Sequence, residues 1–213
     1  KMRPSDKSKY RIKSEKTRKR AISIDDITKV ENYVQDKNAA IGKINARLYF
    51  LFSFYMRGVN YSDMAHLKKL NIKEDKLIFR RQKTGRKFEI KINPKAKAIL
   101  NQFDVKKKKP NNYLFPIIKR PFDKELMHKD ISQAIKVTNK QLKNIAKDVG
   151  IMTTLTTYVS RHSWATIADK AGIDRKIISK GLGHSDLATT EIYIDDLVSN
   201  TDLEDADDII IGM

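Results

Sequence analysis

Apolar residues recur at helical spacing along most of the chain and alternate with polar residues in one short stretch. Residues 43–57 are apolar on nearly every face, which predicts a buried central helix that ends at Arg57-Gly58. Between residues 76 and 92 the period changes to two, which predicts a β-hairpin with Lys83-Thr-Gly-Arg86 at its tip. The pattern therefore predicts a mainly α fold with a small antiparallel β-sheet, of the α+β class.

Capping residues and prolines divide the remaining chain into further helices. Ser23-Ile-Asp-Asp26 has the form of a capping box, Ser62 is a candidate N-cap, and Pro94 is typical of a first helical turn. A long loop is predicted at 104–124. A short turn is predicted at 63–67, and the other predicted helices span residues 24–36, 94–103, 128–148, 157–171, 174–181 and 186–197.

The charge of the chain is strongly positive and unevenly distributed. The 213 residues include 44 Lys and Arg against 26 Asp and Glu, a formal net charge of +18. Residues 151–213 carry five basic and eleven acidic side chains, a net of −6, so residues 1–150 carry +24. A surplus this large favours a polyanionic partner. The sequence has no amphipathic cationic helix with bulky apolar anchors and no membrane-length apolar run, which favours nucleic acid over a membrane.

Several chemistries are excluded or disfavoured by composition. The chain contains no cysteine, which excludes disulfides, thiolate zinc sites and thiol catalysis, and fits a reducing cytosol. It shows no carboxylate pair or His/Asp cluster suited to two metal ions, so no metal or cofactor is predicted. The opening Lys1-Met-Arg-Pro does not look like a natural start, and a fragment lacking an upstream domain is expected.

The amino-terminal segment 1–22 is predicted to be a basic interdomain arm. It contains ten Lys and Arg residues but two acidic ones, and Lys19 and Arg20 are its candidate DNA-binding residues. Such a segment is expected to order on a phosphate backbone, and a solvated tail is the alternative.

Three residues near the carboxyl end carry the candidate chemistry. Tyr193 lies nine residues after His184 in Gly181-Leu-Gly-His-Ser-Asp-Leu-Ala-Thr-Thr-Glu-Ile-Tyr193, and Arg161 lies upstream in Thr157-Tyr-Val-Ser-Arg161-His-Ser-Trp164. A phenol can attack a phosphodiester, although ionising it at pH 7 costs about 4 kcal/mol and requires cationic neighbours. Each residue alone has a structural alternative: a core tyrosine, a histidine bonded to a loop carbonyl, or an arginine paired with an acid such as Asp169.

Further basic residues are candidates for contact with a phosphate backbone. Lys83 at the hairpin tip is either a solvated lysine or a mobile general acid for a leaving 5′-oxygen. The candidate DNA-binding residues outside the arm are Arg81, Arg86, Lys107 and Lys108.

The two carboxyl-terminal motifs resemble the paired boxes of the tyrosine recombinases, the phage integrase family. Within it the chain looks most like integrases of conjugative transposons and phase-variation invertases. The hairpin with Lys83-Thr-Gly resembles the lysine hairpin of that family, and Phe50–Leu67 is similar to its first arginine box. The resemblance covers about residues 20–197 and implies a catalytic domain at 23–197. It also implies that the tail 198–213 docks onto a neighbouring protomer, with a frayed tail as the alternative.

The resemblance implies a role for each matching residue. Tyr193 would form a 3′-phosphotyrosine, Arg57 and Arg161 would hold the scissile phosphate, Lys83 would be the general acid, and His184 would donate to a non-bridging oxygen. Tyr158 stands where the family usually has histidine; a phenol can bond a phosphate but carries no positive charge. The first box is irregular, because alignment on Asp63 places Asn60 at the arginine position. Arg57 is the preferred first arginine and Arg81 the substitute.

The function implied is site-specific recombination of DNA through a phosphotyrosine, without metal or ATP. The implied partners are double-stranded DNA and possible DNA-bending accessory proteins. The chain is expected to be a monomer when free and to form a tetramer with three further copies on DNA. A cytoplasmic, nucleoid-associated location in a bacterium follows from this function. Two alternatives stay open: a degenerate module that only binds DNA, and an enzyme similar to type IB topoisomerases that relaxes DNA.

Overall fold

The fold consists of helices around one small sheet, as described for residues 21–33, 40–184 and 190 of a computed structural model. The helices are α1 (Ile24–Asn32), α2 (Ile41–Tyr55), α3 (Tyr61–Ala65), α4 (Pro94–Gln102), α5 (Lys124–Asp148), α6 (Val159–Lys170) and α7 (Arg175–Leu182). The strands are β1 (Ile72–Lys73), β2 (Lys76–Arg80) and β3 (Lys87–Lys91). Short 3₁₀ turns lie at Lys69–Asn71 and Val105–Lys107. The predicted α+β class is confirmed.

Helix α2 is the centre of the hydrophobic core. Its side chains are apolar nearly all round, so it can be covered by α1, α4, α5 and α6. Phe50 and Phe52 are fully buried, and the ring of Phe52 packs edge-on against Phe115 with centroids 4.9 Å apart. This packing fixes the carboxyl end of α2, where Arg57 and Gly58 follow.

The sheet is antiparallel with strand order β1-β2-β3. Leu77 pairs with Ile90 and Phe79 with Phe88, so the apolar residues of both strands lie on one face. The rings of Phe79 and Phe88 stack with centroids 5.2 Å apart. Strands β2 and β3 are the predicted hairpin, and β1 adds a short edge that the sequence pattern did not indicate.

Several element boundaries differ from the sequence predictions. Helix α3 begins at Tyr61 with Asn60 as its N-cap, so Ser62 is not the cap. Helix α5 begins four residues before the predicted start, because the side chain of Asp123 accepts a hydrogen bond from the backbone N–H of Leu126. Helix α1 ends at Asn32 rather than residue 36.

Helices α6 and α7 form a smaller apolar cluster beside the main core. Ala165, Ala168, Ile178 and Leu182 are buried there, with Trp164 partly buried against them. A Cβ added at Gly181 would lie 2.8 Å from Cη2 of Trp164, so the indole packs directly on the backbone of α7. This contact fixes the end of α7 relative to α6, and both helices supply the candidate site.

Some sequence predictions lie outside the described residues. They are the arm with Lys19 and Arg20, most of the 186–197 helix with Tyr193, and the tail 198–213. Ile22, placed in the arm by the sequence, is buried in the core, and its backbone N–H donates to Ser163 Oγ at 3.0 Å. Within the described ranges, no helix is both long and apolar enough to cross a membrane.

Candidate active site

Arg161 lies at the centre of the candidate site and is buried, with 4% of its surface exposed. Its Nη1 donates to the carbonyl of Gly58 at 2.8 Å, and its Nη2 donates to the carbonyl of Leu182 at 2.6 Å. Burial lowers the pKa of Arg161 to about 10, and the nearby charge of Arg81 acts in the same direction. The guanidinium is thus held by backbone carbonyls and keeps its charge at neutral pH.

The structural alternative for Arg161 was an ion pair with an acid such as Asp169. In the structure Asp169 accepts instead from Nε of Arg175 at 3.1 Å. The positive charge of Arg161 is therefore not neutralised by that carboxylate. A buried guanidinium held by neutral carbonyls can still bind an anion.

The turn after α2 supports the guanidinium of Arg161 through its backbone. Arg57 and Gly58 both have left-handed backbone conformations, with φ of 60° and 68°. A Cβ added at Gly58 would lie 2.8 Å from Cα of Arg161, so no side chain fits there. Ser53 Oγ donates to the carbonyl of Val59 at 2.7 Å and accepts from Ser160 Oγ at 2.8 Å, which ties this turn to α6.

The Gly58→Ala variant is expected to be less stable and to reduce the DNA strand cleavage that the sequence motifs imply. The new methyl group must displace the backbone of α6 or distort the turn, at a cost of about 1–3 kcal/mol in unfolding free energy. Displacement of Arg161 by about 1 Å is expected to slow cleavage about 10²-fold. Urea unfolding and single-turnover cleavage measure the two effects.

Gly150→Ala is the matched control for this substitution. Gly150 has φ of +71°, close to that of Gly58, but a Cβ there would meet no atom within 4 Å. Both variants therefore carry the same backbone strain, and only Gly58→Ala carries the contact with Arg161. Equal cleavage rates for the two variants would show that the contact has no influence on the site.

His184 follows α7 and joins the same cluster. The helix ends at Leu182, and its C-cap Gly183 has φ of +70°, where a Cβ would lie 2.1 Å from Cζ of Phe88. Nη2 of Arg161 lies 3.1 Å from Nε2 of His184, and Nδ1 of His184 lies 2.8 Å from Oγ1 of the fully buried Thr190. The predicted pair Arg161 and His184 is therefore brought into direct contact.

The β2–β3 hairpin docks against the end of α7. Nη1 of Arg81 donates to the carbonyl of Gly183 at 3.3 Å, and Nη1 of Arg86 donates to the carbonyl of His184 at 2.7 Å. On the other side, Oδ1 of Asp63 accepts from the backbone N–H of Gln82 at 2.9 Å, and Oδ2 lies 3.6 Å from Nε of Arg81. The base of the hairpin tip is thus anchored to both α3 and the His184 segment.

Three of the remaining predicted catalytic residues have exposed side chains, and the fourth, Tyr193, lies outside the described residues. Lys83 is exposed in the turn of the anchored hairpin, and Arg57 is exposed in the turn that contacts Arg161. Tyr158 is the N-cap of α6 and is 49% exposed, with its ring edge-on to His162 at 4.6 Å.

The predicted DNA-binding lysines of the long loop differ from each other. Lys107 is exposed and pairs with Asp104 at 2.9 Å. Nζ of Lys108 donates to the carbonyls of Tyr113 and Leu114 at 2.9 and 3.0 Å, and burial lowers its pKa. Lys108 therefore helps to close the loop, and DNA binding by both lysines stays a prediction.

Three residues of the site were missed or used only for alignment in the sequence analysis. Gly58 and Thr190 had no assigned role, and Asp63 was only a reference point for the first box. The positive φ of Gly58 was suggested by its place after a helix, but its contact with Arg161 joins residues 103 positions apart. No local sequence signal predicts such a contact.

The arrangement is suited to binding a phosphodiester. The buried guanidinium of Arg161, the imidazole of His184 and the side chain of Arg81 meet at the carboxyl end of α7. The β2–β3 hairpin that docks there carries Lys83 in its turn. Donors held in this way are oriented before an anion arrives, which is the condition for strong electrostatic stabilisation of a phosphorane.

Comparison with known proteins defines the class. Residues 11–199 match the phage integrase family, and the chain belongs to this family. The chain is 31% identical over 148 residues to the tyrosine recombinase XerA of Pyrococcus horikoshii, which covers 67% of this chain and 48% of that protein. It is 29% identical over 193 residues to XerD of Rickettsia bellii, covering 81% of this chain and 58% of the relative.

Solved structures show the same fold. The crystal structure of XerA recombinase superposes with a TM-score of 0.61 at 19% identity, covering 90% of this chain and 65% of that one. The Tn1549 transposon integrase in complex with transposon right end DNA gives a TM-score of 0.58 at 14% identity, covering 85% and 63%. The chain thus spans about half to two thirds of the length of these proteins.

Proposed function

We propose that this chain is the DNA-cleaving and rejoining domain of a site-specific recombinase or integrase. The observation that carries the proposal is the contact of buried Arg161 with His184, beside a docked hairpin that bears Lys83. The sequence places Tyr193 nine residues after His184. The phenol of Tyr193 attacks the scissile phosphate and forms a 3′-phosphotyrosine, and a second DNA 5′-hydroxyl reverses the attack. One phosphodiester replaces another, so no ATP or metal is required.

Each residue near the cluster has a physical task in this reaction. Arg161 binds two oxygens of the phosphate and stabilises the charge that develops on the phosphorane. Lys83 protonates the leaving 5′-oxygen from the hairpin tip. Tyr158 donates a hydrogen bond to the phosphate, and His184 faces it from the end of α7.

The first arginine of the site has two candidates. Arg57 is exposed and precedes Gly58, whose carbonyl binds Arg161. Arg81 is largely buried and close enough to Arg161 for its charge to lower the pKa of that guanidinium. We assign the phosphate contact to Arg57, as the sequence suggests. Arg81 is the alternative, and its guanidinium is positioned by an ion pair with Asp63.

Helix α5 provides a surface for the DNA backbone. Five of its exposed lysines lie on one face, opposite the buried Leu142 and Ile145, over about 27 Å of helix. The lysines on this face are Lys129, Lys136, Lys140, Lys143 and Lys147. Because lysine acts as a point charge, we assign this face to phosphates and not to base edges.

The active assembly is proposed to be a tetramer on double-stranded DNA, formed from free monomers, with DNA-bending proteins as possible accessories. Its proposed location is the cytoplasm, on nucleoid DNA. The solved complexes of the Tn1549 integrase with transposon right end DNA and of XerH with its difH substrate support a DNA partner.

A nicked suicide substrate tests the proposal. Cleavage near the nick releases a short fragment, so the covalent adduct cannot be reversed and accumulates. We expect an SDS-resistant protein–DNA complex in the presence of EDTA and without ATP, with the 3′-phosphate joined to protein. Plasmid relaxation without a specific site would indicate the topoisomerase alternative.

A module that binds DNA without chemistry is the second candidate. It is favoured by Asn60, the uncharged N-cap of α3, which stands at the aligned arginine position, and by Tyr158 in place of histidine. This candidate predicts normal DNA binding with no adduct on the suicide substrate. The adduct assay therefore separates the two.

A further inference from the structure

His184 lies in a chain of hydrogen bonds that fixes the position of its ring proton. Nη2 of Arg161 is 3.1 Å from Nε2, and Oγ1 of Thr190 is 2.8 Å from Nδ1. A guanidinium has only N–H donors and no acceptor. Nε2 must therefore accept with its lone pair, and the proton of the neutral ring is on Nδ1.

Thr190 completes this arrangement from a buried position. Its side chain is fully buried, and its hydroxyl oxygen accepts the hydrogen bond from Nδ1. The same bond is retained when the ring becomes doubly protonated, because Nδ1 donates in both forms. Thr190 thus supports a ring whose Nε2 gains and loses a proton.

We propose that Thr190 is a positioning residue that holds His184 with an unprotonated Nε2, and that this nitrogen takes the proton of the Tyr193 phenol during attack. The inference rests on the proposed function. It assigns His184 the role of proton acceptor during the attack, before the same ring donates a hydrogen bond to a phosphate oxygen. In this site the position usually held by histidine is Tyr158, and a phenol is a weak base at neutral pH.

The proton and bond changes balance within the named groups. A phosphate oxygen, which is negatively charged, replaces Nε2 as the acceptor of the Arg161 hydrogen bond. The O–H bond of Tyr193 breaks, a bond from that proton to Nε2 forms, and the phenol oxygen bonds to phosphorus. The 5′-oxygen leaves and takes a proton from Lys83. The Nε2–H of His184 then donates to a non-bridging oxygen and returns its proton when the reaction reverses.

Imidazole ¹⁵N–¹H correlation spectra of the DNA-free protein test the position of the proton. The chain has four histidines, so assignment by single His→Gln variants is direct. We expect a protonated Nδ1 and an unprotonated Nε2 for His184 near neutral pH. A neutral ring with its proton on Nε2 would overturn the proposal, whatever the activity of the protein.

The Thr190→Val and Thr190→Ser variants test the contribution of the hydroxyl. Valine keeps the shape but removes the acceptor, so we expect single-turnover adduct formation to slow about 10²-fold, whereas serine restores it to within about threefold. The tautomer signals of His184 should change in Thr190→Val and persist in Thr190→Ser. If Thr190→Val does not fold, the proposal is still tested by the His184 tautomer in the wild-type spectrum and by the adduct rate of Thr190→Ser.

Two results separate this inference from the function on which it rests. If Thr190→Val forms the adduct at the wild-type rate, the positioning role is wrong while the recombinase function stands. If the wild-type protein forms no adduct, the proposed function and the base role fail together, and the spectrum alone decides whether Thr190 holds the tautomer.

Discussion

Replacing Arg161 with alanine is expected to abolish strand cleavage and to destabilise the fold. The guanidinium binds the carbonyls of Gly58 and Leu182, and the substitution leaves both without this donor in a buried region. Each buried group left unsatisfied costs about 1–3 kcal/mol of unfolding free energy. Loss of the central phosphate donor is expected to slow adduct formation by at least about 10³-fold.

The Arg161→Lys variant separates the two effects of this substitution. Lysine retains a positive charge, but one ammonium group cannot reproduce the planar, bidentate geometry of the guanidinium. We expect a cleavage defect nearly as large as that of alanine, with part of the stability regained. Arg175→Ala removes a half-exposed arginine from the neighbouring helix and should change cleavage less than about twofold. If Arg161→Ala cleaves DNA at the wild-type rate, the assignment of Arg161 as the central phosphate donor is wrong.

The Tyr193→Phe variant is expected to bind DNA with unchanged affinity and to form no covalent adduct. Phenylalanine keeps the aromatic ring and removes the nucleophilic oxygen, so binding to phosphates is retained while the attack is impossible. Gel-shift titration measures binding, and SDS electrophoresis on the suicide substrate measures the adduct.

Tyr158→Phe is the matched control, because it removes the same atom from the other tyrosine of the proposed site. We expect it to retain the adduct at a rate reduced about tenfold, as for a lost hydrogen bond to the transition state of about 1.4 kcal/mol. An adduct with Tyr193→Phe and none with Tyr158→Phe would identify Tyr158 as the nucleophile.

The elements with strong local patterns could be predicted from the sequence. The largely apolar helix α2 and the alternation in β2 and β3 predicted the mixed class and the hairpin directly. The start of α5 was missed because its first turns contain Leu126 and Met127 as their only apolar residues, and apolar periodicity becomes evident only near Ile131. The cap at Asp123 was the available signal. Strand β1 has two residues and is too short to show a period.

The candidate site shows the same division between local and non-local information. Arg161 and His184 lie in motifs whose residue types suit phosphate chemistry, and the fold brings their side chains into contact. The supporting contacts join distant parts of the chain: Gly58 to Arg161, Arg86 to His184, and Asp63 to Gln82. These contacts depend on tertiary packing and have no periodic signature.

The support of Arg161 by backbone carbonyls illustrates why side-chain partners are hard to predict. The structural alternative left open by the sequence was a carboxylate such as Asp169, since a buried charge commonly pairs with its opposite. Main-chain carbonyls at the ends of α2 and α7 bind it instead, and every residue type carries such a carbonyl. This leaves the guanidinium positive, which suits a site for phosphate.

Identification of the residue joined to DNA tests the central claim most directly. The trapped adduct is digested with nuclease and protease, and the peptide that carries the nucleotide is sequenced by mass spectrometry. The account predicts a 3′-linked nucleotide on the hydroxyl of Tyr193 alone. A nucleotide on another side chain, or a 5′ linkage, would contradict it.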